Sequence, residues 1–258
     1  MRATQEETLA QQVNKPPRKF LAVKAENISE ELKRYAQWVL WHGIYKPEKE
    51  KWTKVPYQVN GNNASHSNPK TWNTFSAVWN TYSQKRDRFD GIGFVLTEKD
   101  PFVGVDFDEC YNPEKKMLDP AVEEDLKCLN SYSELSPSGE GVRVLAKAKL
   151  PPGRRKKKGV EIYDNLRFLT ITGHVGKNKI IEDRQEEILK FHKKHFPEKP
   201  IQNHNPIVRQ SIQNFSDQEI IEIALNEDGG KFRDLYNGNT GGYSSQSEAD
   251  LALCDKLT

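Results

Sequence analysis

Short apolar runs bounded by turn residues occupy the middle of the chain and predict β-strands. The predicted strands are residues 38–41, 54–59, 91–96, 102–108, 142–146, 160–163 and 167–173. Pro56 lacks a backbone N–H, which predicts that its strand lies at a sheet edge or begins there. Because only residues 97–101 separate the third strand from the strand that reaches Asp106 and Asp108, we expect these two strands to pair antiparallel.

Apolar residues at helical spacing predict helices between and after these strands. The predicted helices are residues 29–36, a segment that starts at Ser67, residues 120–130, residues 183–195, and segments that open at Ser216 and at Tyr243. The segment that starts at Ser67 is expected to pack its aromatic and apolar side chains in the core, at Trp72, Phe75, Val78, Trp79 and Tyr82. Ser29 is expected to cap the first helix through its hydroxyl. The mixture predicts an α+β fold in which helices flank a largely antiparallel sheet.

The pattern also divides the chain into regions. Residues 1–28 are polar at their start and are interpreted as a flexible arm, and residues 29–196 carry all the predicted strands. Residues 197–214 contain three prolines and three asparagines and are interpreted as a linker. Residues 215–258 begin a helical region whose pattern is cut at Thr258, so we expect the parent protein to continue beyond it.

Composition narrows the class of protein. Hydrophobic residues make up 35% of the 258 residues, and the mean hydropathy is −0.83. Because the net charge is only +2, local clusters of basic residues must carry any binding to nucleic acid. The cysteines (Cys110, Cys128 and Cys254) are far apart and none lies in a CxxC, which disfavours a zinc site or a disulfide framework. With no apolar stretch near 20 residues and no signal peptide, we expect a protein of the bacterial host cytosol without membrane partners.

Asp106 and Asp108 are the first candidates for chemistry, because they end an apolar strand. Alternate residues of a strand share a face, so the two carboxylates are expected to point the same way and to repel each other. Hard oxygen ligands of this kind suit Mg²⁺ or Mn²⁺, which predicts a metal site for phosphoryl or nucleotidyl transfer. The DxD pattern alone is not specific, since glycosyltransferases, nucleases and surface strands also contain it.

The segment 136–143 is rich in serine and glycine and precedes a strand. Ser136, Ser138 and Gly139 offer hydroxyls and backbone N–H groups that suit phosphate oxygens, and Arg143 offers a permanently charged fork. A glycine-rich hairpin with a surface arginine explains the same residues about equally well.

Glu161 is a carboxylate in a strand with apolar neighbours, and it is the candidate to complete the metal site. We favour it over Asp164, which falls in a turn where Asp is common. The basic loop that leads into this strand contains Arg154, Arg155, Lys156, Lys157 and Lys158. A run of charge is usually a solvated face, but here it predicts contacts to nucleic-acid phosphates, with Lys51 and Lys54 as weaker candidates.

In this order the motifs resemble those of the archaeo-eukaryotic primase superfamily, in particular the primase–polymerases of phages and plasmids, including deep-sea vent phages. The family carries an hhhDhD strand, an SxH strand and an hD/E strand, which residues 103–108, 136–143 and 160–161 resemble. The resemblance covers roughly residues 30–258. One position departs from the family, because Arg143 stands where the second motif has His. Arg can still contact phosphate but cannot shuttle a proton near neutral pH.

The resemblance implies a primase–polymerase core with an RRM-like half and template-directed nucleotidyl transfer by two divalent ions. It implies that Asp106, Asp108 and Glu161 hold the ions, while Ser136, Ser138, Gly139 and Arg143 grip the triphosphate. It further implies that Arg167 and the basic loop add positive charge and that Tyr163 contacts the sugar. The implied partners are a single-stranded DNA template, a primer, dNTPs or NTPs, and a helicase region of a longer chain.

Two other functions remain open on the sequence. The first is a replication initiator or single-stranded DNA-binding module without catalytic activity, which the three acidic positions disfavour. The second is a metal-dependent nuclease, which has no use for a triphosphate-binding loop. The choice between dNTPs and NTPs, and between de novo priming and primer extension, is also open.

Overall fold

The computed structural model describes residues 16–17, 19–197, 218–219, 221–222, 225, 231–240, 242–243 and 246–254. The chain divides into two compact units, Met1–Glu198 and Lys199–Thr258. The strands of the first unit are β1 (Trp38–Lys46), β2 (Lys51–Tyr57), β3 (Gly91–Leu96), β4 (Phe102–Phe107), β5 (Tyr111–Asn112), β6 (Met117–Leu118), β7 (Tyr132–Leu135), β8 (Val142–Lys147), β9 (Lys156–Lys157), β10 (Val160–Tyr163) and β11 (Arg167–Ile171). Its α-helices are α1 (Glu30–Lys33), α2 (Phe75–Gln84), α3 (Pro120–Leu129) and α4 (Gln185–His195).

The strands form two larger antiparallel sheets, which confirms the predicted α+β class. The four-stranded sheet has the order β11-β3-β1-β2 and the five-stranded sheet has the order β7-β8-β4-β10-β9, while β5 and β6 pair only with each other. Strand β2 lies at an edge, as Pro56 predicts. The short strand β9 falls inside the stretch that the sequence analysis interprets as a basic loop.

The five-stranded sheet is buried on both faces, because alternate residues of β4 belong to two different cores. Val103, Val105 and Phe107 pack with apolar residues of α3 and α4. Phe102 belongs to the other core, together with residues of the four-stranded sheet and α2. On this second face Leu169 of β11 packs directly onto Gly104, where a larger residue would clash. The two sheets therefore approach each other closely beside Asp106.

Strands β3 and β4 do not pair, so the predicted hairpin between them is wrong. Strand β3 lies between β11 and β1, whereas β4 lies between β8 and β10 of the other sheet. The buried carboxylate of Asp100 explains the change of sheet. It accepts hydrogen bonds from the backbone N–H groups of Thr97 at 2.8 Å and Phe102 at 3.0 Å, and from the Gln37 amide at 2.8 Å. These bonds fix a turn that carries the chain from one sheet into the other.

The second predicted helix begins later than expected. Its first residue is Phe75, and the Thr74 hydroxyl accepts the capping hydrogen bond at the N-terminus. Trp72 lies before the helix, and its indole N–H donates to the Ser65 carbonyl at 2.6 Å. Asn73 pairs with the backbone of Trp38, which keeps the chain extended up to the cap. Within the helix, Val78 and Tyr82 are buried, as the periodicity predicts.

Residues 19–28 pack onto the rest of the first unit, although their sequence predicts that they belong to a flexible arm. The backbone N–H groups of Leu21 and Lys24 donate to Pro137 and Thr172 at 2.8 Å each, and Val23 is buried in the core. These contacts with loops distant in sequence could not be read from local polarity. Ser29 precedes α1, but its side chain makes no capping hydrogen bond.

The buried carboxylate of Glu134 joins the two sheets. It accepts hydrogen bonds from the backbone N–H groups of Thr172 at 2.9 Å and Gly173 at 2.8 Å, and from the Tyr132 hydroxyl at 2.7 Å. Thr172 and Gly173 directly follow β11, so this carboxylate holds the end of that strand against β7. Burial raises the pKa of Glu134, whereas these hydrogen bonds favour its charged form.

Replacing Glu134 by Ala is expected to lower the free energy of unfolding by about 3 kcal/mol, because it leaves two buried N–H groups without acceptors. Urea unfolding followed by circular dichroism measures the change. Glu140→Ala, at an exposed position of the neighbouring turn, is the matched control and is expected to have little effect. Equal stability of Glu134→Ala and the wild type would contradict this assignment.

The second unit is helical where it is described. Helices α5 (Lys231–Tyr236) and α6 (Gln246–Cys254) bury Phe232, Leu235 and Ala249, and residues 218–219, 221–222 and 225 are also helical. Apart from Pro197, the predicted linker lies outside the described residues, as does Ser216. No helix within the described ranges has the length and apolar character needed to cross a membrane.

Candidate active site

Each strand of the five-stranded sheet contributes one charged residue at the same level of that sheet. In strand order these cross-strand partners are Glu134, Arg143, Asp106, Glu161 and Lys156. Directly opposed residues of neighbouring strands project from the same face, so they form one row, which we call the charged row. Its acidic neighbours Asp106 and Glu161 are flanked by Arg143 on one side and Lys156 on the other.

A cavity of about 580 Å³ lies between the two sheets beside this row, and we call it the carboxylate cavity. Its wall from the five-stranded sheet includes Asp106, Asp108, Arg143, Lys156 and Glu161. Its wall from the four-stranded sheet consists of residues 51–54 of β2 and 167–170 of β11, and His66 and Leu166 complete the lining. The structure thus brings all three predicted acidic residues to one cavity.

Asp106 is held on one side and unpaired on the other. Its Oδ2 accepts a hydrogen bond from the Arg143 guanidinium at 3.1 Å. Its Oδ1 is buried and has no hydrogen-bond partner among the described residues. A buried carboxylate oxygen without a partner is costly, so this atom marks a position where a positive group would be stabilised.

Asp108 lies one residue beyond the end of β4, yet it lines the same cavity as Asp106. Its backbone N–H donates to the Gly159 carbonyl at 3.0 Å, which continues the alternation of the strand past its formal end. Partial burial, followed by the negative charges of Asp106 and Glu161, raises the pKa of Asp108 above its ordinary value. The negative charges of Asp106 and Glu161 therefore lie close enough to disfavour the ionised form of Asp108.

Glu161 is tied to basic and hydroxyl groups. Its carboxylate accepts hydrogen bonds from Lys156, from the Tyr163 hydroxyl at 3.1 Å and from Arg167 at 2.7 Å. Within the described ranges, no three His, Cys, Asp or Glu side chains are arranged as a ready-made metal site. The predicted third ligand thus lies in the cavity but is engaged in ion pairs. Asp164, which we disfavoured, is not part of the lining and has Arg155 at 4.0 Å.

Lys54 lines the carboxylate cavity from β2, whereas the sequence suggested only a contact to nucleic acid. No carboxylate of the described residues lies within 4.0 Å of its ammonium, although Asp106 and Asp108 are near enough to interact electrostatically. Burial, then the positive charge of Arg143, lowers the pKa of Lys54 to about 8. A desolvated ammonium without an ion pair is suited to an incoming anion.

The serine- and glycine-rich segment forms the turn between β7 and β8. The Ser136 hydroxyl accepts a hydrogen bond from the Gly141 N–H at 3.1 Å and lies 3.0 Å from the Ser138 hydroxyl. Gly139 adopts a positive φ of 79°. Ser136, Ser138 and Gly139 are not among the cavity-lining residues, and Arg143 is buried instead of lying on the surface, so a triphosphate grip at this turn stays a prediction.

The five basic residues before β10 are divided in the structure. Lys156 lines the cavity through its contact with Glu161, while Arg154 and Lys158 are exposed to solvent. Arg155 lies 4.0 Å from Asp164, and Lys157, the last residue of β9, is half-buried. Arg167 lines the cavity, whereas Tyr163 does not and touches the site through its hydrogen bond to Glu161, with the Arg167 guanidinium 4.6 Å from the centre of its ring.

Sequence reasoning missed Thr170 and the position of Lys54 in the cavity. Thr170 accepts hydrogen bonds from Arg143 through its hydroxyl and, at 2.7 Å, through its carbonyl. Both residues belong to the four-stranded sheet, while the acidic residues belong to the other. No short-range pattern signals a contact between two sheets, because it depends on how the sheets pack.

Comparison with known proteins adds one relative. The chain is 34% identical over 200 residues to the DNA Primase-polymerase of Nitratiruptor phage NrS-1. The match covers 74% of this chain and 26% of the relative, so the chain spans about a quarter of the length of that protein. No family model matches the chain.

Proposed function

This chain belongs to the phage primase–polymerases over the residues that match, and from this premise we propose that its first unit catalyses template-directed nucleotidyl transfer in phage replication. The observation that carries the proposal is that one cavity holds the carboxylates of Asp106 and Asp108 together with the ammonium of Lys54, which forms no ion pair with any described residue. Such a cavity suits a cation and a polyphosphate together. The proposal includes an archaeo-eukaryotic primase core for this α+β unit.

The carboxylates fit divalent ions. Asp106 Oδ1 is buried without a partner, and Asp108 has a raised pKa because of burial and neighbouring negative charge. Asp106 and Asp108 would hold Mg²⁺ or Mn²⁺, and Glu161 would join them for a second ion by giving up its ion pairs. Bound ions of this kind activate a 3′-hydroxyl and neutralise the triphosphate and the pyrophosphate leaving group.

Basic residues of the cavity would bind and orient the nucleotide. Lys54 would hold the triphosphate, since no carboxylate in the described part of the chain lies within 4.0 Å of its ammonium, which is already partly desolvated. Arg167 and Lys156 would add positive charge once Glu161 turns toward an ion, and Tyr163 would then be available to the sugar. This assigns the triphosphate to side chains of β2 and β11 instead of the turn at Ser136.

The proposed partners follow from the same cavity. The exposed basic residues Arg154 and Lys158 border β9 and would contact the phosphates of a single-stranded DNA template or primer without reading its sequence. Because the chain spans about a quarter of its relative, a helicase region in a longer protein remains part of the proposal.

One experiment separates the proposed function from both rivals. A labelled primer on a single-stranded template is incubated with Mg²⁺ or Mn²⁺, with and without dNTPs or NTPs. We expect the primer to lengthen only when nucleotides are present. Shortening without nucleotides would support a nuclease, and binding with no change in length would support a non-catalytic DNA-binding module.

The pKa of Lys54 predicts a pH dependence. As pH rises through about 8, the free enzyme loses this positive charge, so kcat/KM for the nucleotide is expected to fall by about fivefold between pH 8 and pH 9. Lys54→Arg keeps its charge throughout this range and is expected to show a flatter profile. Identical profiles for the two proteins would contradict the role of Lys54.

A further inference from the structure

We propose that Arg143 is a positioning residue, which clamps Asp106 of one sheet to β11 of the other sheet and does not itself bind the triphosphate. The proposal rests on the proposed function, because it concerns how a catalytic carboxylate is held. Arg143 is also the residue that departs from the family motif, so its role has to be read from its own contacts.

Both terminal nitrogens of the Arg143 guanidinium are engaged by protein groups. One terminal nitrogen donates to both oxygens of Thr170, with the carbonyl at 2.7 Å, and the other donates to Asp106 Oδ2 at 3.1 Å. Its Nε is buried and has no partner among the described residues. The side chain is only 7% exposed, so a triphosphate in the cavity would meet little of the guanidinium.

Arg143 spans the two sheets. It lies on β8 of the five-stranded sheet, whereas Thr170 lies on β11 of the four-stranded sheet. Two residues further along the chain, the Thr172 N–H donates to Glu134, the cross-strand neighbour of Arg143 in the charged row. The end of β11 is thus attached to the row at two adjacent points, and one of them reaches Asp106 directly.

The clamp acts on one oxygen of Asp106. Because Arg143 takes Oδ2, the rotation of the carboxylate is restricted and Oδ1 is left without a partner. A planar guanidinium can bond to Thr170 and Asp106 at once, whereas the single ammonium of lysine or the ring of histidine cannot reproduce that geometry. Positioning of this kind matters, since a displacement of about 1 Å can cost about 100-fold in rate.

Steady-state kinetics of Arg143→Lys separates positioning from phosphate binding. We expect kcat to fall by about tenfold or more while KM for the nucleotide stays within about threefold, because the lost contact does not involve substrate. Arg34→Lys, at an exposed position after α1, is the matched control. A large rise in KM with unchanged kcat would overturn the proposal and restore the phosphate grip.

A second measurement does not depend on enzymatic activity. We would unfold in urea the variants Arg143→Met and Asp106→Asn and the variant that carries both changes. The double-mutant cycle then gives the interaction free energy between the two side chains. We expect the double variant to lose less stability than the two single losses added together. Strict additivity would overturn the clamp. If the wild type incorporates no nucleotide but the cycle still shows coupling, the proposed function fails while the link between Arg143 and Asp106 stands.

Discussion

Replacing Asp106 by Asn is expected to lower nucleotide incorporation by about 1,000-fold or more, the largest single effect that we predict. Asp106 provides the buried, unpartnered Oδ1 of the cavity, and Asn removes its negative charge while keeping its shape. Charge stabilisation by a bound ion accounts for several kcal/mol of such a reaction, which corresponds to a loss of this size. Single-turnover extension of a labelled primer measures it.

Binding of DNA is the internal control for this variant. Fluorescence anisotropy with a labelled single strand is expected to give a Kd close to that of the wild type, since the exposed basic residues are untouched. Glu109→Gln, at an exposed position next to Asp108, is the matched substitution and is expected to retain full activity. Extension by Asp106→Asn at the rate of the wild type would remove the carboxylate cavity as the active site.

Glu161→Gln is expected to lower incorporation by about 100-fold, the second largest effect. Glu161 lies next to Asp106 in the charged row and forms ion pairs with Lys156 and Arg167. Its negative charge therefore offsets the positive charges of these two side chains in the cavity. As a proposed third ligand, it would also lose much of its affinity for a cation as an amide. Titration of activity with Mn²⁺ is expected to show a higher concentration at half-maximal activity than in the wild type.

Asp164→Asn is the matched control for this prediction. Asp164 follows the same strand but is not among the residues that line the cavity. Its substitution is expected to change incorporation by no more than about threefold, as is usual away from reacting groups. If Asp164→Asn were the more damaging of the two, the choice of Glu161 as the third acidic residue would be wrong.

Local elements of the fold could be predicted well from the sequence. The strand Gly91–Leu96 and the helix Pro120–Leu129, capped by Asp119, are found where periodicity and capping residues place them. The start of α2 could not be predicted from the sequence, because it depends on the pairing of Asn73 with the distant residue Trp38. Local signals therefore set these two elements, whereas a tertiary contact moved the start of α2.

Pairing between strands was harder to predict. The sequence suggested a hairpin of β3 and β4 because their connection is short, but buried Asp100 turns the chain into a second sheet. The carboxyl group of Asp100 accepts bonds from both sides of this turn. Short connections favour pairing only when the turn between the strands lets them stay in one sheet.

In the candidate site, too, local sequence patterns predicted some residues, whereas the roles of others depend on tertiary contacts. Asp106 and Asp108 were predicted from strand alternation and Glu161 from its apolar neighbours in a strand, and the structure brings the three to one cavity. Lys54 was assigned to nucleic acid, because nothing in the sequence says that β2 faces β4 across the gap between sheets. Arg143 was assigned to phosphate, since the sequence cannot show that Thr170 and Asp106 occupy its guanidinium.

Incorporation of one nucleotide opposite a defined template base tests the central claim most directly. A labelled primer is annealed to templates that differ only in the next base, and each dNTP is supplied singly with Mg²⁺ or Mn²⁺. We expect the wild type to add the complementary nucleotide and Asp106→Asn to add none. A primer that stays unextended by the wild type, or that is extended equally well by Asp106→Asn, would contradict this claim.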